Sequence, residues 1–353
     1  MKFGHFCLPT YFEDVDGDVG GFMRRFVDFL VSSEDAGFDM LFANEHHFDA
    51  YGGLVPSPTI MIASLAQRTK RVRLGSSIIV LPLHSPIEIA EQWAMVDLMS
   101  SGRVELGVGR GFVAYDYDRL HVPRDDAQER LKDGVALIRK AWSGETFTHD
   151  GPFYKYRDLQ VWPRPQQRPH PPIWLSCGGT PDSFKWAGEQ GFGIFTVAYR
   201  GVEPLIPLNK IYRDAWVATG HPAKNYKIAA HYQVVLSEDG AEARDIATKA
   251  LIRYVGATTH TLDRSAADRE HTAREDYSKV DQEVVNVAQM VKECRVCAGT
   301  PDEAVAMLTK AQEMMGFTQV DCTFYFGGIP FEIAQRSHRL FAEKVMPRLR
   351  HIG

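Results

Sequence analysis

The chain reads as a single (β/α)8 barrel spanning residues 1–353. Two patterns predict this: short β-rich apolar runs alternate with helix-length amphipathic stretches, and some runs are apolar enough to be buried on both faces, as in a parallel sheet. The size agrees, since 353 residues exceed a small module and suit a barrel of about 250 residues enlarged by loop insertions.

The first strand runs from Lys2 to Leu8, and a helix follows from about Gly21 to Ala36, ended by Gly37. "MLFA" (40–43) is the second strand, and "SPTIMIASLAQRT" (57–69) supplies its helix with Pro58 in the first turn. "VRLGSSIIVLPL" (72–83) reads as one continuous third strand, followed by the helix "SPIEIAEQWAMVDLMSS" with Pro86 near its start. "GRVELGVGRG" (102–111) is the fourth strand; an irregular segment from Phe112 to Asp126 separates it from the helix "AQERLKDGVALIRKAWSG".

From Glu145 to Pro172 the chain is Pro-rich and aromatic with no helical period, which predicts a loop insertion. "PIWLSCGG" (172–179) is the fifth strand and "PDSFKWAGEQG" its helix; "FGIFTVAY" is the sixth and "YKIAAHYQVVL" the seventh, with the helix "EDGAEARDIATKALIRYV" after it. The polar stretch Thr258 to Lys279 reads as a further insertion or a mobile lid. Thr300 caps the next helix, with Glu303 placed to complete a capping box. "QVDCTFYF" is the eighth strand and Pro330 to Arg348 the last helix. The rival fold, a doubly wound sheet, would show G-x-G-x-x-G after its first strand; "GVGRG" (107–111) follows the fourth strand and has the wrong spacing.

With 44% hydrophobic and 24% charged residues, the chain can bury a large core. Its net charge of -5 and lack of a dense Lys/Arg run argue against a nucleic-acid or anionic-membrane partner. The apolar N-terminal stretch is broken by Pro9 too early for a signal peptide, and no run approaches the ~18 residues of a membrane helix, so a cytoplasmic protein is expected. Cys7, Cys177, Cys294, Cys297 and Cys322 are odd in number and scattered, as in a reducing compartment; the lone C-x-x-C at Cys294 and Cys297 is read as incidental rather than as a zinc site.

Active sites of such barrels lie in the loops after the strands' C-terminal ends, where this chain carries "EHHF" after strand two. His46 and His47, neighbours on an extended chain, point to opposite sides and can hardly ligate one ion together. A metal would need outside ligands such as His84; a histidine satisfied by loop hydrogen bonds is the plain alternative. Arg110 stands between glycines after strand four, its planar guanidinium suited to phosphate or to a neighbouring carboxylate. After strand five, Gly178 and Gly179 expose backbone N–H groups just ahead of a helix start, with Thr180 and Ser183 as hydroxyl donors; an ordinary capped turn would look the same. Two anion-binding features at one end of one barrel favour a phosphorylated ligand.

"MKFGHF", "EHHF", "LGSSIIVLPLHSPIEIAEQWAMVDLMSSGRVELGVGRG", "CGGTPDSFKWAGEQG", "AGTPDEA" and "LFAEKVMP", in this order over nearly the whole chain, resemble the bacterial luciferase-like flavin monooxygenases. The resemblance implies a barrel that takes reduced FMN from a separate NAD(P)H:flavin reductase and reacts it with O2 at C4a to a peroxide that oxygenates a small organic substrate. By the same resemblance His46, with Glu45 beside it, is the catalytic candidate. Arg110 would meet the FMN phosphate, helped by Gly178, Gly179 and Thr180, with Arg130 near the same end. Phe6 would lie near the isoalloxazine, and a non-proline cis peptide would fall at Ser77-Ile78. A dimer is also implied.

The light-emitting subunits carry a reactive cysteine at the position of Gly109 and a tryptophan at that of Ala198. Both replacements are expected to open space around the flavin, for a bulkier substrate than light emission needs. An F420-dependent hydride-transfer enzyme, a non-catalytic flavin-binding subunit and, further off, a phosphosugar or metal-dependent barrel hydrolase are the alternatives. The insertions supply candidate covers for the barrel mouth, with Tyr115, Tyr117, Phe147, Phe153, Tyr154 and Tyr156 either lining a pocket or packing the loops down.

Overall fold

The computed structural model describes residues 1–263 and 285–352. Its centre is a closed ring of eight parallel strands: β1 (Lys2–Cys7), β2 (Met40–Ala43), β3 (Arg73–Ser76), β4 (Val104–Gly109), β5 (Ile173–Ser176), β6 (Gly193–Val197), β7 (Ile228–Leu236) and β8 (Gln319–Thr323). Each pairs with the next, and β8 returns to β1 at Lys2↔Gln319 and His5↔Cys322, so the eight-strand ring closes on itself. The helices α1 (Val19–Asp35), α2 (Pro58–Arg68), α3 (Pro86–Met99), α4 (Ala127–Ser143), α5 (Pro181–Gln190), α6 (Leu205–Ala218), α7 (Gly240–Asp263), α8 (Pro301–Met315) and α9 (Phe331–Leu340) fall between and after the strands. This is the barrel the alternation predicts. Local signals are legible in it: the Ser57 and Ser85 side chains cap α2 and α3, each with proline in the first turn, and Thr300 and Glu303 form the full capping box of α8.

Several expectations need correction. The third run is not continuous: β3 stops at Ser76, the Ser77-Ile78 peptide is cis, and the chain resumes as Ile79–Val80 beside β4. Helix α6 has no counterpart in the sequence reading, because Pro204 and Pro207 sit at its first turn, where proline is tolerated but masks the period. The insertion from Glu145 to Pro172 contains an antiparallel hairpin, Phe147–Asp150 with Lys155–Leu159, and the segment after β4 contains a short helix, Ala114–Arg119. Cys297 opens a short strand, Cys297–Gly299, that extends the sheet beside the end of β7; both it and Cys294 are buried. Of the stretch Thr258 to Lys279, residues through Asp263 continue α7, and the rest lies outside the described residues. Among the described residues no helix is long and apolar enough to cross a membrane.

Side chains alternate in and out of the barrel. Its lower interior is filled by Phe42, Phe195 and Trp174, whose rings pack at centroid distances of 5.2 and 4.9 Å. Glycine at position 75 admits Phe42, since an added Cβ would stand 2.7 Å from its ring. Around these rings Glu105 accepts from Arg73 Nε and Trp174 Nε1, and Gln167 donates to the Val104 carbonyl, so buried polar groups here are paired.

Candidate active site

Period-two alternation carries Phe42, Asn44 and His46 along one face from the barrel core to its mouth. The loop that follows folds back onto them at Gly52. A Cβ there would lie 2.7, 2.8 and 2.9 Å from Leu8, Asn44 and His46, and its φ of 71° is one that glycine readily adopts. The His46 ring stands against Tyr51 and Phe112, at 4.7 and 5.8 Å between centroids. Burial lowers its pKa to about 4, with the Glu45 charge opposing and His47 assisting, so the imidazole is uncharged at neutral pH. Among the described residues its ring nitrogens have no hydrogen-bond partner.

Glu45 faces the other way. Its Oε1 accepts from His47 Nε2 at 2.9 Å and His84 Nε2 at 2.8 Å, and its Oε2 accepts from the Val80 N–H at 2.9 Å. Burial alone would raise this carboxyl; the hydrogen bonds from both histidines and the Val80 amide outweigh it and bring the pKa down to about 2. His47 is raised in turn: burial pulls it down, but the bond to Glu45 and the fields of Glu45 and Asp116 win. Glu45 thus clamps the end of β2 to the segment that carries Ile78, and His84 joins that clamp. Among the described residues no three His, Cys, Asp or Glu side chains are grouped to hold a metal.

Around the ring, β4 and β5 are neighbours and deliver the candidate anion-binding groups to one rim. Arg110 follows β4, half-buried, its carbonyl receiving the Tyr117 hydroxyl. Arg130, on the first turn of α4, lies 3.9 Å from Asp126 and 4.6 Å above Phe153, and its Nε is buried without a partner. Among the described residues an added Cβ at Gly178 or Gly179 meets nothing within 4 Å. Thr180 is the N-cap of α5, yet its hydroxyl bonds Ser183 Oγ at 2.8 Å rather than a helix N–H.

Phe6 projects into the barrel from β1 and contacts the His231 ring edge-on at 3.9 Å; His231, pulled down to about 3 by burial, bonds the Thr323 hydroxyl at 2.9 Å. One inward step further along β7 is Gln233, whose side chain lies beside the Tyr254 hydroxyl. Tyr254 and Tyr51 join their hydroxyls at 3.1 Å, which links this wall to His46. Among the described residues four buried polar atoms here have no partner: both amide atoms of Asn44, Gln233 Oε1 and the Tyr199 hydroxyl. Each such group costs about 1–3 kcal/mol when nothing binds it. Asp116, beside this site on the short helix, has an unpartnered Oδ1 and a pKa raised to about 7 by burial and by Glu45 and Asp49, with His47 opposing.

Asn44, Gln233, Tyr51, Tyr199, Tyr254 and Asp116 were not singled out by the sequence; extending the alternation Phe42, Asn44, His46 past the strand would have flagged the first. Gly109 corrects one expectation: a side chain there would collide with Ile78, so the glycine makes room for Ile78 and does not itself open space. Ala198 is fully buried. Of the loop aromatics, Tyr117 is buried and Phe153 underlies Arg130, which is loop packing.

Residues 1–319 match the sequence profile of the luciferase-like monooxygenases. The oxygenase component of the flavin-dependent trigonelline monooxygenase of Acinetobacter baylyi is 28% identical over 334 residues, covering 91% of this chain and 88% of that one. The F420-dependent glucose-6-phosphate dehydrogenase of Amycolatopsis mediterranei is 27% identical, covering 94% and 96%. The chain spans 62% of the length of a third relative, the uncharacterized protein y4vJ of Sinorhizobium fredii, at 33% identity. The crystal structure of the monooxygenase RslO1 from Streptomyces bottropensis superposes with a TM-score of 0.83 at 29% identity, covering 98% and 99% of the two chains. The chain belongs to the luciferase-like monooxygenase family.

Proposed function

We propose that the protein is a monooxygenase that binds reduced FMN, delivered by a separate NAD(P)H:flavin reductase, and inserts oxygen from O2 into a small organic substrate. The observation that carries this reading is the composition of one barrel rim: an uncharged histidine with unpartnered ring nitrogens stands at the same end as two arginines and an uncapped helix N-terminus. The residues fit FMN: among the described residues the buried Arg130 Nε has no partner, and a Cβ at Gly179 would meet nothing within 4 Å, the room a phosphate seat requires. Arg110, Arg130, Gly178, Gly179 and Thr180 would hold the phosphate, and Phe6, Ser77 and Ile78 would border the ring system. Bound reduced FMN supplies two electrons to O2, so that one oxygen atom enters the substrate and the other leaves as water.

The chain's own contribution is positioning, proton handling and exclusion of water. His46, uncharged, can donate a proton from one ring nitrogen and accept one at the other, the versatility that general acid–base catalysis needs. Glu45 works through its neighbours: with its carboxylate engaged by His47, His84 and Val80, it fixes the chain on both sides of His46 and Ile78. Tyr51 and Phe112 wall the histidine from solvent.

The F420-dependent relative supports a second reading, hydride transfer without oxygen. Anaerobic titration with reduced FMN and reduced F420, then exposure to isotopically labelled O2 with candidate substrates, separates them: tighter FMN binding and label in product is the expected result. The protein is also proposed to pair with a second copy through α2 and α3, where Ile60, Met95, Leu98 and Met99 stand exposed. Light scattering should then return twice the chain's 39.7 kDa.

A further inference from the structure

The wall of the barrel mouth formed by β2 and β7 holds buried polar atoms that no described residue pairs with. Asn44 is the one described side chain whose two polar atoms are both buried without a partner, and it is only 3% exposed. It shares its face of β2 with His46, and Gly52 presses on both. A contact path leads from His46 through Tyr51 and Tyr254 to Gln233, equally buried, whose Oε1 is also unpartnered. Tyr199, 6.4 Å from Tyr254, adds an unpartnered hydroxyl.

A carboxamide presents a carbonyl acceptor and an N–H donor side by side, and its complement is a group with the same pair in reverse order. The nearby surfaces are the flat rings of Phe6, Tyr51 and Phe112, which suit a planar partner. Among the described residues the groups facing this wall carry no unpaired full charge: burial keeps His46 and His231 uncharged at neutral pH, Arg253 and Arg295 are paired with Asp14 and Glu293, and Asp116, at its edge, is held partly protonated. We propose that Asn44 and Gln233 form the substrate subsite, which takes an uncharged planar aromatic or heteroaromatic molecule carrying adjacent N–H and C=O groups, a cyclic amide being the simplest case. Asn44 pairs with both groups of the amide, and Gln233 Oε1 accepts from a further donor on the ring. Sites built in this way discriminate strongly against ligands that leave their polar atoms unpaired. The subsite rests on the flavin-dependent reading above, since only a substrate beside the flavin would use it for turnover.

The test uses the FMN-loaded protein and three probes of one size: the bicyclic lactam carbostyril, naphthalene, and the anion naphthoate. Calorimetry should give carbostyril a dissociation constant at least about tenfold below those of the other two, equivalent to one well-made pair of hydrogen bonds. Asn44→Leu should erase that preference while leaving the FMN dissociation constant unchanged, and Gln233→Met should weaken it. Because Asn44→Leu deletes two unpartnered buried atoms at nearly constant volume, its melting temperature should rise, which guards against a variant that merely misfolds. Equal affinity for carbostyril and naphthalene in the unaltered protein, or tighter naphthoate, would overturn the subsite. A loss of FMN affinity in Asn44→Leu would also overturn it by assigning the amide to the flavin. If the unaltered protein binds no FMN, the proposed function fails instead, and the same probes applied to the unloaded protein still decide the subsite.

Discussion

The two ends of the barrel interior solve the burial of polar groups in opposite ways. At the floor, Glu105 is matched by Arg73 and Trp174, and Gln319 donates to Asp321 at 2.8 Å. At the mouth, among the described residues, Asn44, Gln233 and Tyr199 keep atoms without partners, and the ring nitrogens of His46 have none. Asp321 is the exception at the floor, with Oδ2 unpartnered; burial and the nearby Glu105 raise its pKa to about 7, so that near neutral pH the carboxyl is partly protonated. Pairing at the floor holds the fold together; unpartnered atoms also occur at scaffold positions such as Trp93 and Asn209, and what sets the mouth apart is that Asn44, Gln233 and Tyr199 gather there near His46.

The contrast can be broken most sharply at the mouth. His46→Ala should lower product formation by about a hundred- to ten-thousandfold, the range for loss of a general acid–base, while the melting temperature moves by less than about 3 °C. An activity loss that follows the melting temperature would instead assign His46 to the scaffold. Arg110→Ala should raise the FMN dissociation constant about ten- to a hundredfold without unfolding the protein, measured by flavin fluorescence.

At the floor the order of effects reverses. Glu105→Leu leaves the Arg73 and Trp174 donors without their acceptor and should cost about 2–3 kcal/mol in urea unfolding, less than a fully buried pair because Arg73 keeps some solvent contact. Its effect on FMN affinity should be small.

The pH dependence sharpens the same comparison. Glu45 is held at about 2, below its unfolded value, so the stability it contributes is present above pH ~4.5 and lost as pH falls toward its folded pKa. His46, His231 and His338, pulled down to about 4, 3 and 4, act in the same direction at higher pH: between ~6.5 and their folded values the unfolded chain binds protons that the folded chain does not. Asp116 and Asp321, raised to about 7, act the other way between pH ~7 and ~3.9, but the lowered histidines outnumber them, so melting temperatures should fall on acidification below pH ~6.5. His231→Gln should flatten that slope slightly, the smallest effect in this set; a slope unchanged in this variant would show that His231 does not contribute to it.

How much was legible follows from which interactions are local. Apolar runs, prolines in first turns and the Thr300–Glu303 box are written in neighbouring residues, and they placed the eight strands and most helices. Helix α6 was hidden by two prolines at its start, and the hairpin of Phe147 to Leu159 by its charged alternation and by its anchor, Asp133, which holds His149 from a different element. At the site, "EHHF" and "GVGRG" announced themselves. The division of labour within "EHH" did not, because Glu45 is committed by His84 and Val80, which only barrel closure brings near. Gln233 was silent for the same reason, since its neighbour Tyr254 comes from another element, whereas Asn44 is reached by carrying the Phe42, Asn44, His46 alternation past the strand.

The most direct test of the account is the affinity of the protein for reduced FMN against reduced F420 under anaerobic conditions, in the unaltered chain and in Arg110→Ala. Reduced FMN should bind at least about tenfold more tightly than F420, and the arginine replacement should remove most of that affinity. Tighter F420 binding, or FMN binding indifferent to Arg110, would contradict it.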